Sequence, residues 1–246
     1  MRTLRFVVAI AAYLLFFATF LYLVGWTGNL VVPRTVDAGG PEGALGTAIF
    51  TNIGLLAVFG LQHSVMARPG FKKALTRTVP PAFERTVYVL ASVAVLWLMF
   101  IFWMPMPEVV WSVGEEGPAA MVLWAAFATG WLIVFISTWL LNHFELFGLQ
   151  QAWHDMRGTP VPDPRFREPL FYKVSRHPLY LGFLIAFWAI PTMTQGHLLF
   201  AAGMTVYVLV AIRYEERDLA DALGDAYREY RTRVGMLLPG IGKAKG

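Results

Sequence analysis

The 246-residue chain contains no cysteine, which excludes disulfides, thiolate-bound metals and a cysteine nucleophile. It is also short of charge. Only 15% of its residues are Asp, Glu, Lys or Arg, against about 25% in soluble domains. The net charge of +4 is modest and no low-complexity basic tract is present, so nucleic acid is not an expected partner. In so apolar a chain, a small positive surplus belongs with cytoplasmic loops. Internal repeats and a soluble second domain are missing too. The expectation is therefore one domain over residues 1–246.

What the chain has instead is apolar sequence, 57% of the total, gathered in runs of membrane-spanning length. A spanning helix needs roughly 20 apolar residues. Four such spans are predicted: Leu4 to Val24, Ala44 to Val65, Arg85 to Trp103 and Ala119 to about Leu146. The first lacks the small-residue cleavage site of a signal peptide and reads as a retained helix. Trp26, Trp103 and Trp111 fall near span ends, as interfacial aromatics do. Beyond Pro178, a short run from Leu179 to Ile190, a Pro191-Thr192 break and a run from His197 to Ile212 read as a helical hairpin. Arg213 to Val234 is charged and reads as a helix outside the bilayer. The expected fold is all-α: a polytopic membrane bundle of four spans, a C-terminal hairpin and a cytoplasmic C-terminal helix.

Lysine and arginine bias orients this bundle. Arg68, Lys72, Lys73, Arg77 and Arg85 fill the loop between spans two and three. Arg157, Arg165, Arg167, Lys173 and Arg176 follow span four. The loop after span three carries Glu108, Glu115 and Glu116 without a basic residue. Both termini are expected to be cytoplasmic, with the hairpin entering from and returning to that side.

On this map the chemistry-capable residues gather at the cytoplasmic face. Gln62 and His63 end span two. Asn142, His143 and Glu145 end span four. Arg176, His177 and Tyr180 open the hairpin, and Arg213, Glu215 and Glu216 close it. Polar groups at a membrane-embedded position are costly and tend to face a cavity or a partner, although near an interface they also serve as simple caps. Pro178 suits the first turn of a helix, whose free N–H groups and dipole favour an anion. Gly182, one turn on, admits close approach of a ligand or another backbone. The adjacent acids Glu215 and Glu216 call for a compensating cation or arginine.

The string Arg176-His177-Pro178-Leu179-Tyr180-Leu181-Gly182, then Glu215-Glu216-Arg217-Asp218-Leu219, then Gly224-x-x-Tyr227-x-x-Tyr230, resembles the isoprenylcysteine carboxyl methyltransferase and phospholipid methyltransferase superfamily. Upstream, Gln62-His63-Ser64-Val65-Met66-Ala67-Arg68-Pro69 and Asn142-His143-Phe144-Glu145-Leu146-Phe147-Gly148 resemble its nurim-like branch, and within it the bacterial methanethiol S-methyltransferases. The likeness then spans nearly the whole chain.

That resemblance implies an enzyme using S-adenosylmethionine, with a cofactor-binding half at about 147–239. It puts His177, Leu179, Tyr180, Gly182 and Glu215 or Glu216 beside the cofactor, and no metal. The chemistry agrees in outline: a carboxylate for a helix N-terminus, a ribose diol for an acid, and a sulfonium for aromatic faces. A thiol acceptor must lose its proton, and histidine is suited to that near neutral pH. His143 and His63 are the candidate bases, with Glu145 as an orienter of His143 and Tyr180 as cofactor wall or proton donor. For His63, an interfacial hydrogen-bonded role is an equal reading. Arg176 and Arg213 would form a clamp were the substrate anionic. The superfamily leaves a prenylcysteine or phospholipid acceptor open, and nurim leaves a non-enzymatic membrane protein open.

Overall fold

Apolar residues that must leave water, with backbone groups that must bond internally in lipid, leave a chain like this little alternative to helix. The computed structural model describes residues 1–162 and 167–244; Arg165 of the second basic loop lies outside the described residues. The elements are α1 (Arg2–Thr27), α2 (Leu45–Ala67), α3 (Pro69–Leu75), α4 (Glu84–Phe102), β1 (Val109–Ser112), α5 (Pro118–Leu141), α6 (His143–Leu146), α7 (Leu149–Arg157), α8 (Pro178–Trp188), β2 (Thr192–Thr194), α9 (Gln195–Leu223) and α10 (Asp225–Arg233). Five helices are long and apolar enough to cross a membrane: α1, α2, Pro81–Phe102, α5 and α9. Large side chains such as Phe50, Met121 and Val122 point outward, as lipid-facing residues do. The protein is an integral membrane helix bundle.

Two boundaries differ from the sequence expectation. The fourth span ends at Leu141 rather than near Leu146, because Asn142 takes a left-handed conformation with φ 113°. Its side chain then caps the short α6, accepting from the Glu145 N–H. The return arm of the hairpin does not stop at Ile212. It continues unbroken to Leu223 and turns only at Gly224, φ 61°. Charge marks where an apolar run ends, but helices end where backbone geometry requires it, and no proline or left-handed residue interrupts this one. Glu215 and Glu216 therefore sit inside a helix, not at its C-terminus.

The chain divides into two compact units: one of Met1–Glu108, Asn142–Asp163 and Thr194–Phe200, the other of Val109–Leu141, Pro164–Met193 and Ala201–Gly246. In the first unit, Trp26 and Trp103 are fully buried and meet edge-to-face at 5.4 Å, with Phe200 against both. Both stand at helix ends, as expected, but packed in the core, whereas Trp111 is exposed. The buried Asn52 is satisfied by the backbone of Met104, giving 2.8 Å to its carbonyl and taking 2.9 Å from its N–H. Helix α7 is clasped to α1 by a two-nitrogen contact from Arg5 to Asp155, at 2.8 and 2.7 Å, and by Phe6 on Trp153.

In the second unit, α5 and α8 pack backbone to backbone. A Cβ on Gly182 would lie 2.7 Å from the Gly130 carbonyl and 2.9 Å from the Val134 nitrogen. A Cβ on Gly130 would lie 2.6 Å from the Ala186 nitrogen. Small residues let membrane helices approach this closely. Of the two neighbours Gly182 can admit, the observed one is another backbone.

Candidate functional site

In the second unit the motif residues form an ion cluster. Pro178 opens α8, and the preceding Ser175-Arg176-His177 runs extended beside residues 235 and 236. Ser175 and Gly235 form a parallel bridge, Arg176 N–H bonds the Gly235 carbonyl at 2.9 Å, and His177 N–H bonds that of Met236 at 3.2 Å. The Arg176 guanidinium, only 2% exposed, gives its Nε–H to Glu216 Oε1 at 2.6 Å. Its remaining donors meet the carbonyls of Arg231, Val234 and Gly242. His177 Nε2 reaches the same Glu216 oxygen at 3.1 Å, and Arg231 approaches the other at 3.3 Å. The compensation that the adjacent acids call for is thus arginine, supplied twice.

Around this cluster, Tyr230 donates to the Tyr172 carbonyl at 2.6 Å and packs near Tyr227 at 5.8 Å. Burial holds the phenols of Tyr172, Tyr227 and Tyr230 well above the usual tyrosine range, so all three stay protonated. Glu215 differs from its neighbour. It is half-buried and accepts a 2.9 Å bond from the Tyr180 hydroxyl. Tyr180 and His177 present their rings to each other at 5.7 Å.

A second cluster, of another character, lies in the first unit. His143 opens α6 and is 4% exposed. Its Nε2 lies 2.8 Å from the Tyr13 hydroxyl of α1. Tyr13, Phe144 and Phe147 stand edge-on to the imidazole at 5.6, 5.7 and 4.9 Å, and Phe16 stacks on Phe147 at 4.1 Å. Burial lowers the His143 pKa below its ordinary value, so the imidazole is neutral at neutral pH. In the same unit His63 lies against Phe59 and Tyr88, at 5.2 and 5.0 Å. Ser92 gives its hydroxyl proton to the Tyr88 carbonyl at 3.0 Å, so its 3.2 Å contact with His63 Nδ1 makes that nitrogen the donor.

The family model described as NnrU protein matches residues 52–240. This chain belongs to the NnrU protein family. It is 51% identical over 239 residues to a methanethiol S-methyltransferase of Mycobacterium tuberculosis, covering 97% of each chain. It is 49% identical over 238 residues to methanethiol S-methyltransferase 1 of Bradyrhizobium diazoefficiens, covering 97% of this chain and 83% of that one. Nurim of Xenopus laevis is 31% identical over 176 residues, or 69% of this chain and 61% of nurim. No solved structure matches.

Within this NnrU-family chain, the residues singled out from the sequence fall into distinct settings. Arg176, His177 and Glu216 come together in one buried contact, while Tyr180 pairs with Glu215. Arg176, offered as a substrate clamp, spends its donors inside the protein. Arg213 is exposed on α9. Leu179 is half-buried in the first turn of α8. Glu145, offered as the orienter of His143, has its carboxylate bonded by Asn142 at 2.9 Å. The residue that sequence reasoning missed is Tyr13. Its one signal was a hydroxyl within a long apolar run, and nothing local paired it with a histidine 130 residues away. Arg231, the second arginine on Glu216, was also missed, lying in a segment read only as charged and external.

Proposed function

We propose that this chain is a membrane methyltransferase that transfers the methyl group of S-adenosylmethionine to methanethiol, releasing dimethyl sulfide. The observation that carries this reading is the 51% identity, over 97% of both chains, to a protein named methanethiol S-methyltransferase. On this reading residues 1–246 act as one methyltransferase domain, and the stretch at about 147–239 supplies the cofactor contacts. The reacting face and both termini are cytoplasmic. A reporter near Glu115 should then read on the opposite side, and a cytoplasmic signal there would overturn the orientation.

The residues present suit the cofactor in chemical kind. The half-buried Glu215 carboxylate, steadied by Tyr180, is an acceptor for ribose hydroxyls. The first turn of α8, around Leu179, has N–H groups without helical partners and favours a carboxylate. The paired rings of Tyr180 and His177 offer a face to a sulfonium. When bound, the cofactor supplies an activated methyl group on positively charged sulfur. Arg176 and Glu216 take a supporting part, fixing His177 and the start of α8.

The acceptor imposes the remaining demand. A cysteine thiol has a pKa near 8.5, and a simple alkyl thiol is a weaker acid still, so most methanethiol is protonated at neutral pH. His143, neutral and walled by aromatic rings, is the proposed proton acceptor, with His63 as the second candidate. An apolar setting suits a small apolar thiol arriving through the bilayer, and no charged substrate clamp is needed.

The deciding experiment is headspace analysis of membranes given methanethiol and S-adenosylmethionine. Dimethyl sulfide should appear, dependent on both. Its absence, alongside methylation of a prenylcysteine or a phospholipid, would overturn the acceptor. Failure of purified protein to bind radiolabelled S-adenosylmethionine would overturn the enzyme reading and favour a non-enzymatic, nurim-like role.

A further inference from the structure

His143 is the proposed base, yet it is 4% exposed, edge-on to three aromatic rings. Tyr13, which touches it, is only half-buried. Of the two residues, Tyr13 is therefore the more exposed, and His143 is the one shielded behind it. The 2.8 Å separation of that hydroxyl from Nε2 is short enough for direct proton transfer. Phe144, Phe147 and Phe16 contribute no polar atom, so the dyad is a polar pair set into an apolar wall. Such a wall suits a methyl group.

We propose that Tyr13 is a catalytic residue, its phenolic oxygen taking the thiol proton as its own proton passes to His143 Nε2. The proposal rests on the thiol-methylation reading above. In the step, the thiol S–H bond breaks and a new O–H bond forms on Tyr13. The former Tyr13 proton makes an N–H bond on His143, which becomes imidazolium. The sulfur lone pair so released forms the S–CH3 bond, while the methyl–sulfonium bond breaks and its electrons stay on the departing neutral thioether. His143 afterwards returns its proton to water. Tyr13 begins and ends as a neutral phenol, so no phenolate accumulates in the apolar wall. The opposite arrangement, with Nε2–H donating to Tyr13, gives the tyrosine no part in proton transfer.

The test compares wild type with Tyr13→Phe on two acceptors, methanethiol and the bulkier but far more acidic 2,2,2-trifluoroethanethiol, the variant scored against wild type on the same thiol. General base catalysis is worth typically 10²–10⁴-fold. Turnover of methanethiol by Tyr13→Phe should fall by about 100-fold or more, while the acidic thiol, assayed at a pH where it is largely thiolate, loses little. Affinity for radiolabelled S-adenosylmethionine should be unchanged. Equal losses on both thiols would mark a steric role and overturn the proposal, as would an undiminished rate on methanethiol. If the variant does not fold, the wild-type rate in mixtures of light and heavy water decides instead. Two protons in flight give a curved dependence on deuterium fraction, and a straight line would overturn the relay. Should wild type methylate neither thiol, the underlying reading fails, not this assignment alone.

Discussion

The two clusters handle buried polarity in opposite ways. Around Arg176 and Glu216, charge is compensated by charge, with backbone carbonyls filling the remaining donor positions. Around His143 the contact is between neutral groups, the Tyr13 hydroxyl and the imidazole, with aromatic rings edge-on beside them. A buried ion pair resists dismantling, because removing one partner strands the other. A neutral dyad holds no charge that the loss of one partner would strand. The contrast teaches that the motif richest in charge is the better candidate for rigidity. The quieter, uncharged pair is the better candidate for chemistry.

The strongest way to break this contrast is Glu216→Ala. It leaves Arg176 buried without its carboxylate and should cost about 3–5 kcal/mol in stability, read as a large drop in melting temperature or a loss of folded protein in detergent. A variant that melts like wild type would show the ion cluster to be dispensable. From the sequence, Glu216 reads as a candidate cofactor ligand; its three contacts, with Arg176, His177 and Arg231, argue for the structural effect.

Next in size is His143→Ala. Turnover of methanethiol should fall by roughly 10²–10⁴-fold, while S-adenosylmethionine affinity changes little and melting temperature falls less than in Glu216→Ala. Activity should recover partly as pH rises, because hydroxide then supplies thiolate. If His143→Ala is as unstable as Glu216→Ala, the contrast between the clusters collapses.

The smallest expected effect sharpens the picture. Burial lowers the His143 pKa, and the neutral imidazole is the form able to take a proton. Protonation therefore abolishes the base only once pH falls beneath its lowered value. The acid limb of the pH–rate profile should lie below about 6.5, the ordinary histidine value. A limb above 7 would mean that a different group controls the rate.

The legible part of this protein was whatever a local run of residues decides. Apolar length located four of the five helices long enough to cross a membrane and the apolar half of the fifth, read as a hairpin arm, and Arg176-His177-Pro178 together with Glu215-Glu216 marked the residues of the ion cluster before any contact was visible. Illegible were features set by distant partners or by backbone geometry. Tryptophan at a span end reads equally as interfacial or core, and Trp26 became core only because Trp103 and Phe200 meet it. The extent of α9 was hidden because hydropathy falls at Arg213 while helical geometry persists to Leu223. Tyr13 was hidden because an apolar run gives no hint of which of its members will find a histidine. Gly182 was half-legible: the need for closeness was clear, but not that Gly130 would meet it.

The shell around Arg176 also has a consequence for biosynthesis. Its partners are Glu216, Arg231, Val234 and Gly242, separated from it by 40, 55, 58 and 66 residues. While the chain is being made, this guanidinium is translated well ahead of every group that will neutralise or bond it. A nascent second unit therefore cannot bury Arg176 until residue 242 has left the ribosome. Until then the arginine must remain in water or among lipid headgroups, holding the start of α8 at the membrane surface. The order of synthesis itself would delay closure of this unit until its last strut arrives.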